Sequence, residues 1–163
     1  MIHFKAATSG KELMQIEEMA SIIWHDHYTP IIGTEQVRYM LDKFQSVASM
    51  SDQIKNGYQY FLILQDETQV GYLSFIKRED ELFLSKVYIL KELRGQGTGK
   101  KAFEFIEAQA KENQCKKIGL TVNRNNFNSI KAYEKSGFQN IGEIVQDIGQ
   151  GYVMDDFIME KTL

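Results

Sequence analysis

At 163 residues the chain is long enough for one domain with its own core, and 43% hydrophobic with 25% charged residues is ordinary for a folded globular protein. A formal net charge of −3 argues against the basic face that nucleic-acid binding needs, and it is too small to specify a cationic substrate by itself. Cys115 is the single cysteine, so no internal disulfide can form and a reducing compartment is expected. Apolar runs such as Phe61 to Leu64 are far too short to span a bilayer, and Met1 to Lys5 lacks the plan of a signal peptide. A cytoplasmic location with no membrane partner is the expectation.

There is no internal repeat or low-complexity linker, so residues 1–163 read as one unit. Residues 2–7 suggest a short strand that ends at the Ser9-Gly10 turn. From Lys11 to Tyr28, apolar residues at Leu13, Ile16, Met19, Ala20, Ile23 and Trp24 mark one helical face. Pro30 and Gly33 are expected to break that helix, Thr34 to cap a second one running to about Phe44, and a third to cover roughly 46–56. Tyr58 to Leu64, Gln69 to Ile76 and Leu82 to Leu90 are rich in β-branched and aromatic residues. With turns at Asp66-Glu67 and Glu79-Asp80, they read as an antiparallel meander. Gly97 to Asn113 reads as a helix, Lys116 to Val122 as a strand, Asn126 to Ser136 as a helix, and Phe138 to Ile148 and Tyr152 to Met159 as closing strands. This order predicts a mixed α/β fold with a largely antiparallel sheet.

The stretch Arg94-Gly95-Gln96-Gly97-Thr98-Gly99-Lys100 lies between a strand and a helix. Glycines let backbone N–H groups approach an anion, and a helix N-terminus adds unpaired donors and positive dipole, so a pyrophosphate suits the loop. A Walker A loop fails on spacing, because Arg94 stands at its first glycine position and Lys101 at its Ser/Thr position. A dinucleotide fingerprint fails too: position 100 is Lys, and the next strand ends Leu120-Thr121-Val122-Asn123 without a carboxylate. What remains is Arg-x-x-Gly-x-Gly, met by Arg94, Gly97 and Gly99.

About thirty residues later comes Asn126-Phe127-Asn128-Ser129-Ile130-Lys131-Ala132-Tyr133-Glu134-Lys135-Ser136-Gly137-Phe138. Asn125 or Asn126 can cap this helix and Gly137 can stop it, yet a core tyrosine at 133 must still place its hydroxyl somewhere. Together the two motifs resemble the acetyl-CoA loop and the second signature of the GNAT (Gcn5-related N-acetyltransferase) superfamily, over residues 58–161. The stretch Trp24 to Leu41 and the ending Met154 to Glu160 look similar to polyamine acetyltransferases.

The resemblance implies a GNAT fold with a central, largely antiparallel sheet of six to seven strands flanked by helices. Residues 1–57 would supply the variable acceptor side and 58–163 the acetyl-CoA-binding core. It implies direct acetyl transfer from acetyl-CoA as cosubstrate to a primary amine, with a small-molecule acceptor such as a polyamine as the first reading and a protein or peptide as the alternative. A non-catalytic coenzyme A sensor is the rival of a different class, since fold does not fix function. Tyr133 is the implied general acid at the coenzyme sulfur. The backbone of Val87, Tyr88 and Ile89 would hold the pantetheine arm, and Gly95, Gln96, Gly97, Thr98 and Gly99 the pyrophosphate, with Arg94 and Lys100 in support. Asn126 would contact the pantetheine or adenosine side. A homodimer through the sheet edge or last strands is also implied.

The base is less determined. Glu81 shares strand parity with Phe83, Ser85, Val87 and Ile89, and some family members carry a catalytic glutamate there; a solvated turn carboxylate is the competing reading. Trp24, His25 and Tyr28 are candidates to line the acceptor mouth, with Trp24 also readable as core. His25 and His27 stand two apart on a helix and so point to different sides, which argues against a metal. Cys115 reads as a buried neutral thiol rather than a nucleophile. Of Asp155 and Asp156, one must point inward on a strand and can recruit a cationic amine or pair with a lysine.

Overall fold

In the computed structural model, which describes residues 1–163, the chain order is β1 (Ile2–Ala6), α1 (Gly10–Ile32), α2 (Thr34–Gln45), α3 (Val47–Lys55), β2 (Gln59–Gln65), β3 (Thr68–Arg78) and β4 (Glu81–Ile89). After a 3-10 turn at Lys91–Leu93 come α4 (Thr98–Glu112), β5 (Lys117–Asn123), α5 (Phe127–Lys135), β6 (Gln139–Gly149) and β7 (Tyr152–Thr162). The seven strands form one sheet in the order β1-β2-β3-β4-β5-β7-β6. Every neighbouring pair is antiparallel except β4 with β5. The meander turns fall where the sequence signals them, with Asp66 and Glu79 taking left-handed φ values of 56° and 55°.

Alternation along the strands loads both faces of the sheet. One face, with Leu73, Phe75, Leu82, Ile118 and Met159, packs on α4 through Ala102 and Ile106. The other, with Tyr60, Leu62 and Tyr72, packs on α1 to α3 through Ile16, Ile23, Trp24, Val37 and Met50. Each fully buried aliphatic side chain contributes roughly 1.5–3 kcal/mol, so the two layers clamp the sheet from both sides. A polar chain runs through the second layer. Trp24 Nε1 donates to the Tyr72 hydroxyl (3.1 Å), Tyr72 donates to Gln45 Oε1 (2.6 Å), and Gln45 Nε2 donates to the Tyr60 hydroxyl (3.1 Å). Gln45 is 1% exposed, so its amide fixes α2 against α1 and the sheet by bonds that water cannot replace.

Local chemistry sets the helix ends. Ser9 caps α1 in a capping box with Glu12, whose carboxylate accepts from the Ser9 and Thr8 amides and is lowered to about 2 by them. Pro30 does not end α1 as the sequence suggested. It occupies the last turn, where its missing N–H forfeits one bond, and the helix closes only when Gly33, at φ 86°, donates its N–H to the Thr29 carbonyl (2.9 Å). Thr34 is likewise the first residue of α2 rather than its cap. No helix is long and apolar enough to cross a membrane.

Candidate active site

β4 and β5 are parallel neighbours, but they pair only over Glu81–Phe83 with Lys117–Gly119. Beyond that point the register of β4 against β3 slips. Ser74 faces Lys86 and Phe75 faces Leu84, so Ser85 is an extra, bulged residue. A bulge bends its strand and sharpens its twist, which carries the rest of β4 away from β5. The strands open into a cleft of about 670 Å³ whose walls include Leu84 to Ile89 of β4 and Leu120 to Asn123 of β5. Along Leu84–Ile89 the β5-facing backbone edge of β4 has no strand partner, although the opposite edge is paired to β3 through Ile89. Such an edge offers N–H and C=O groups to an extended ligand.

The glycine-rich loop follows directly. Gly95 and Gly97 take left-handed φ values of 79° and 84°, and Gly97 is the N-cap of α4 without any side-chain cap bond. A Cβ at either glycine would meet nothing within 4 Å, so the space over the first amides of α4 is open. Arg94 and Gly99 belong to the cleft wall, and Arg94 Nε donates to the Ile89 carbonyl at 3.1 Å, tying the loop to the end of β4. Gly95, Gln96, Gly97, Thr98 and Lys100 continue the loop outside that wall. Thr98 turns its side chain inward at 4% exposure, whereas Lys100 is exposed.

The opposite wall is α5. Asn126 stands at its N-cap position but makes no capping bond; its side chain is buried at 4% exposure in the cleft wall. Seven residues on, Tyr133 occupies the same helical face. Its ring meets Phe103 and Phe138 edge-on, at centroid distances of 5.9 Å and 5.7 Å. Burial, reinforced by the neighbouring Tyr28, pushes the Tyr133 phenol well above its ordinary pKa, so it stays protonated.

The roof comes from α1 and α2. Trp24, His27 and Tyr28 line the cleft, and the Tyr28 and Tyr88 hydroxyls share a hydrogen bond of 2.9 Å. His25, expected at the mouth, is not part of the wall: at about 100° per residue it points away from the face that carries 24, 27 and 28. His27 takes that place. Burial first, then the Arg94 charge, lower its pKa, partly offset by Asn126, so the imidazole is neutral at pH 7.

Glu81 is not in the cleft either. It sits at the closed end of the β4/β5 pair, 3.9 Å from Lys117, with its carboxylate over Gly119 in the space a Cβ would fill. The bulge at Ser85 reverses the alternation, so the shared parity of Glu81 with Val87 and Ile89 does not survive folding. Cys115 is buried among core residues away from the cleft, and burial raises its thiol pKa. Lys86 and Asp156 are charged groups of the cleft wall that the sequence reading missed in whole or in part. Lys86 donates to Ser85 Oγ at 2.7 Å and is lowered to about 8 by burial alone. Asp156, one of the two acids flagged on the last strand, is 4% exposed and raised to about 6, mainly by burial.

The acetyltransferase (GNAT) family model matches residues 16–138. Two relatives from Bacillus subtilis align over 68 residues. A probable spermine N(1)-acetyltransferase of subspecies natto is 34% identical, and a spermine/spermidine N(1)-acetyltransferase of strain 168 is 32% identical. The aligned stretch covers 41% of this chain and 45% of each relative, so the chain spans less than half of either in that match. Among solved structures, the PaiA N-acetyltransferase from Thermoplasma acidophilum in complex with coenzyme A superposes with a TM-score of 0.83 at 21% identity, over 100% of this chain and 99% of that one. That likeness shows a shared fold.

Proposed function

The chain belongs to the acetyltransferase (GNAT) family, and from that premise we propose that it transfers acetyl from acetyl-CoA directly to the primary amine of a small acceptor, a polyamine being the preferred class. The observation that carries the reading is the opened β4/β5 cleft with Tyr133 in its wall, a protonated phenol whose pKa is shaped by burial and by Tyr28 and by no protein hydrogen bond. The residues fit the cosubstrate. The unpaired β4 edge from Val87 to Ile89 suits the amides of pantetheine, the open space over Gly95 and Gly97 suits a pyrophosphate, and the Asn126 amide, which makes no capping bond, lies in the cleft wall where the arm would run.

The chemistry then divides between two sides. An alkylammonium near pKa 10 must lose a proton before its nitrogen can attack, and the departing thiolate gains from a proton donor. Tyr133 supplies that donor, held by Phe103 and Phe138 so that its hydroxyl keeps one position. A backbone N–H on the free β4 edge polarises the thioester oxygen.

Two features support a small acceptor. Trp24, Tyr28, Ile32, Gln36, Met40 and Phe44 roof the acceptor half, which favours a small acceptor over a polypeptide. The names of the two Bacillus relatives and the buried acid Asp156 favour a cationic amine. Lys86 is the opposing charge, and burial makes it shed its proton more readily than a surface lysine. The test is coenzyme A release from acetyl-CoA with spermidine, spermine, amino acids and short peptides. Turnover confined to peptides or amino acids overturns the polyamine reading, and tight acetyl-CoA binding without turnover on any amine overturns the enzyme reading.

A further inference from the structure

The acceptor half of the cleft holds one ionisable group that the fold itself does not use. Adjacent residues on a strand face opposite sides, so Asp155 and Asp156 of β7 part company. Asp155 turns to the side of Phe157. There Arg124, its guanidinium 5.0 Å from the Phe157 ring centre, brings Nε to 2.8 Å from Asp155 Oδ1 and also reaches Glu143 at 3.3 Å. Asp156 turns to the side of Met154, into the cleft, and at 4% exposure it is paired with no lysine, arginine or histidine. A carboxylate taken out of water without a cation is costly, and chains keep one where a ligand supplies the cation.

Its surroundings are defined on every side. Asn123 of β5 and Ile144 of β6 are its cross-strand partners, and the nearby Thr121 side chain of β5 opposes part of the upward shift that burial causes. Tyr28 of α1 lies close enough for the Asp156 charge to raise its phenol, and the same Tyr28 raises Tyr133. Asp156, Tyr28 and Tyr133 all line the same cleft. Gln146 and Asp147 of β6 and Lys86 of β4 extend the wall, and Lys86 forms no ion pair with Asp156.

We propose that Asp156 is the acceptor-side catalytic residue: its carboxylate binds the ammonium of the incoming amine and accepts the proton that frees the nitrogen lone pair. The inference rests on the acetyl-transfer reading and names the base that Glu81 does not provide. The nitrogen loses two protons in all. One passes to Asp156 and then to water. The other leaves as the N–C bond forms and the C–S bond breaks, and it replaces the phenolic proton that Tyr133 gives to sulfur. Product is the amide, free thiol and one released proton. A carboxyl held at about 6 by burial, with Asp155 second and Thr121 opposing, is ionised at neutral pH yet more basic than an ordinary carboxylate.

The experiment compares wild type with Asp156→Asn, which keeps shape and loses charge, using spermidine as probe. Calorimetry with coenzyme A present should show spermidine binding weakened at least about 30-fold while acetyl-CoA affinity stays within about twofold. In kcat/KM against pH, the variant should fall at least about 10²-fold and lose the acidic limb that wild type shows near pH 6, with Asp156→Glu restoring part of both. Unchanged spermidine binding overturns the ammonium site, and an unchanged acidic limb overturns the proton acceptor. A wild type that turns over no amine overturns acetyl transfer itself, and the calorimetric comparison still decides the ammonium site.

Discussion

Asp156→Asn also makes a prediction about folding that needs no substrate. The folded chain holds this carboxyl at about 6, against 3.8 for the ordinary group, and burial is the main cause. The sign follows from proton counting. Between those two values the folded state keeps its proton while the unfolded chain has lost it, so raising pH favours unfolding. Below about pH 4 both states are protonated and the penalty vanishes; above about pH 6 it is fully present. A gap of about two pH units corresponds to about 3 kcal/mol, trimmed towards about 2 kcal/mol by solvent at the cleft mouth. Asparagine never ionises and so escapes this cost. Urea unfolding followed by the fluorescence of Trp24, the single tryptophan, at pH 4 and pH 7.5 measures the difference directly. The variant should gain about 2–3 kcal/mol relative to wild type between the two pH values, a comparison in which the other carboxylates cancel. A relative stability that does not change with pH, or that moves against the variant as pH rises, refutes the picture of a buried carboxylate without a cation.

Tyr133→Phe removes a hydroxyl and keeps the ring among Phe103 and Phe138, so kcat should fall by roughly 10²-fold while acetyl-CoA affinity in equilibrium binding stays nearly constant; full activity would take Tyr133 out of the reaction. Gly97→Val puts a β-branched residue at φ 84° and fills the open space before α4, so acetyl-CoA binding should be lost in calorimetry, with a folding cost of about 1–3 kcal/mol. Wild-type affinity there would remove the loop from phosphate binding. Glu81→Gln should leave kcat/KM within about threefold and cost no more than about 1 kcal/mol, since its carboxylate lies over Gly119 outside the cleft wall and its one ion pair is a long one to a partly exposed Lys117; a large rate loss would return Glu81 to the chemistry.

What the sequence made legible was whatever is encoded locally. The order of elements, the meander turns at Asp66 and Glu79, and the placing of the Arg94–Gly99 loop between a strand and a helix all follow from short-range periodicity and turn residues. The shape of the site does not, because it arises between strands distant in sequence. β4 and β5 part after Phe83, and no residue of either strand announces it; the nearest cause, the extra residue at Ser85, is invisible without the β3 register. That same bulge explains why strand parity does not put Glu81 on the face that carries Val87 and Ile89. His27 was missed in favour of His25 although Trp24, His27 and Tyr28 have i, i+3, i+4 spacing, a signal that was available once Trp24 was placed on a buried face. Asp155 and Asp156 were marked as a pair of which one points inward, but which one required knowing that Arg124 lies on the Phe157 side. Lys86 carried no local signal at all, since a lysine in a strand ordinarily marks the solvent face.

The measurement closest to the central claim is steady-state coenzyme A release from acetyl-CoA with spermidine as acceptor, with the acetylated product identified by mass. The account predicts one acetyl group on a primary amine per coenzyme A released, at a rate that falls in both Tyr133→Phe and Asp156→Asn. Turnover that is indifferent to both substitutions, or tight acetyl-CoA binding with no acetylated amine formed, would contradict it.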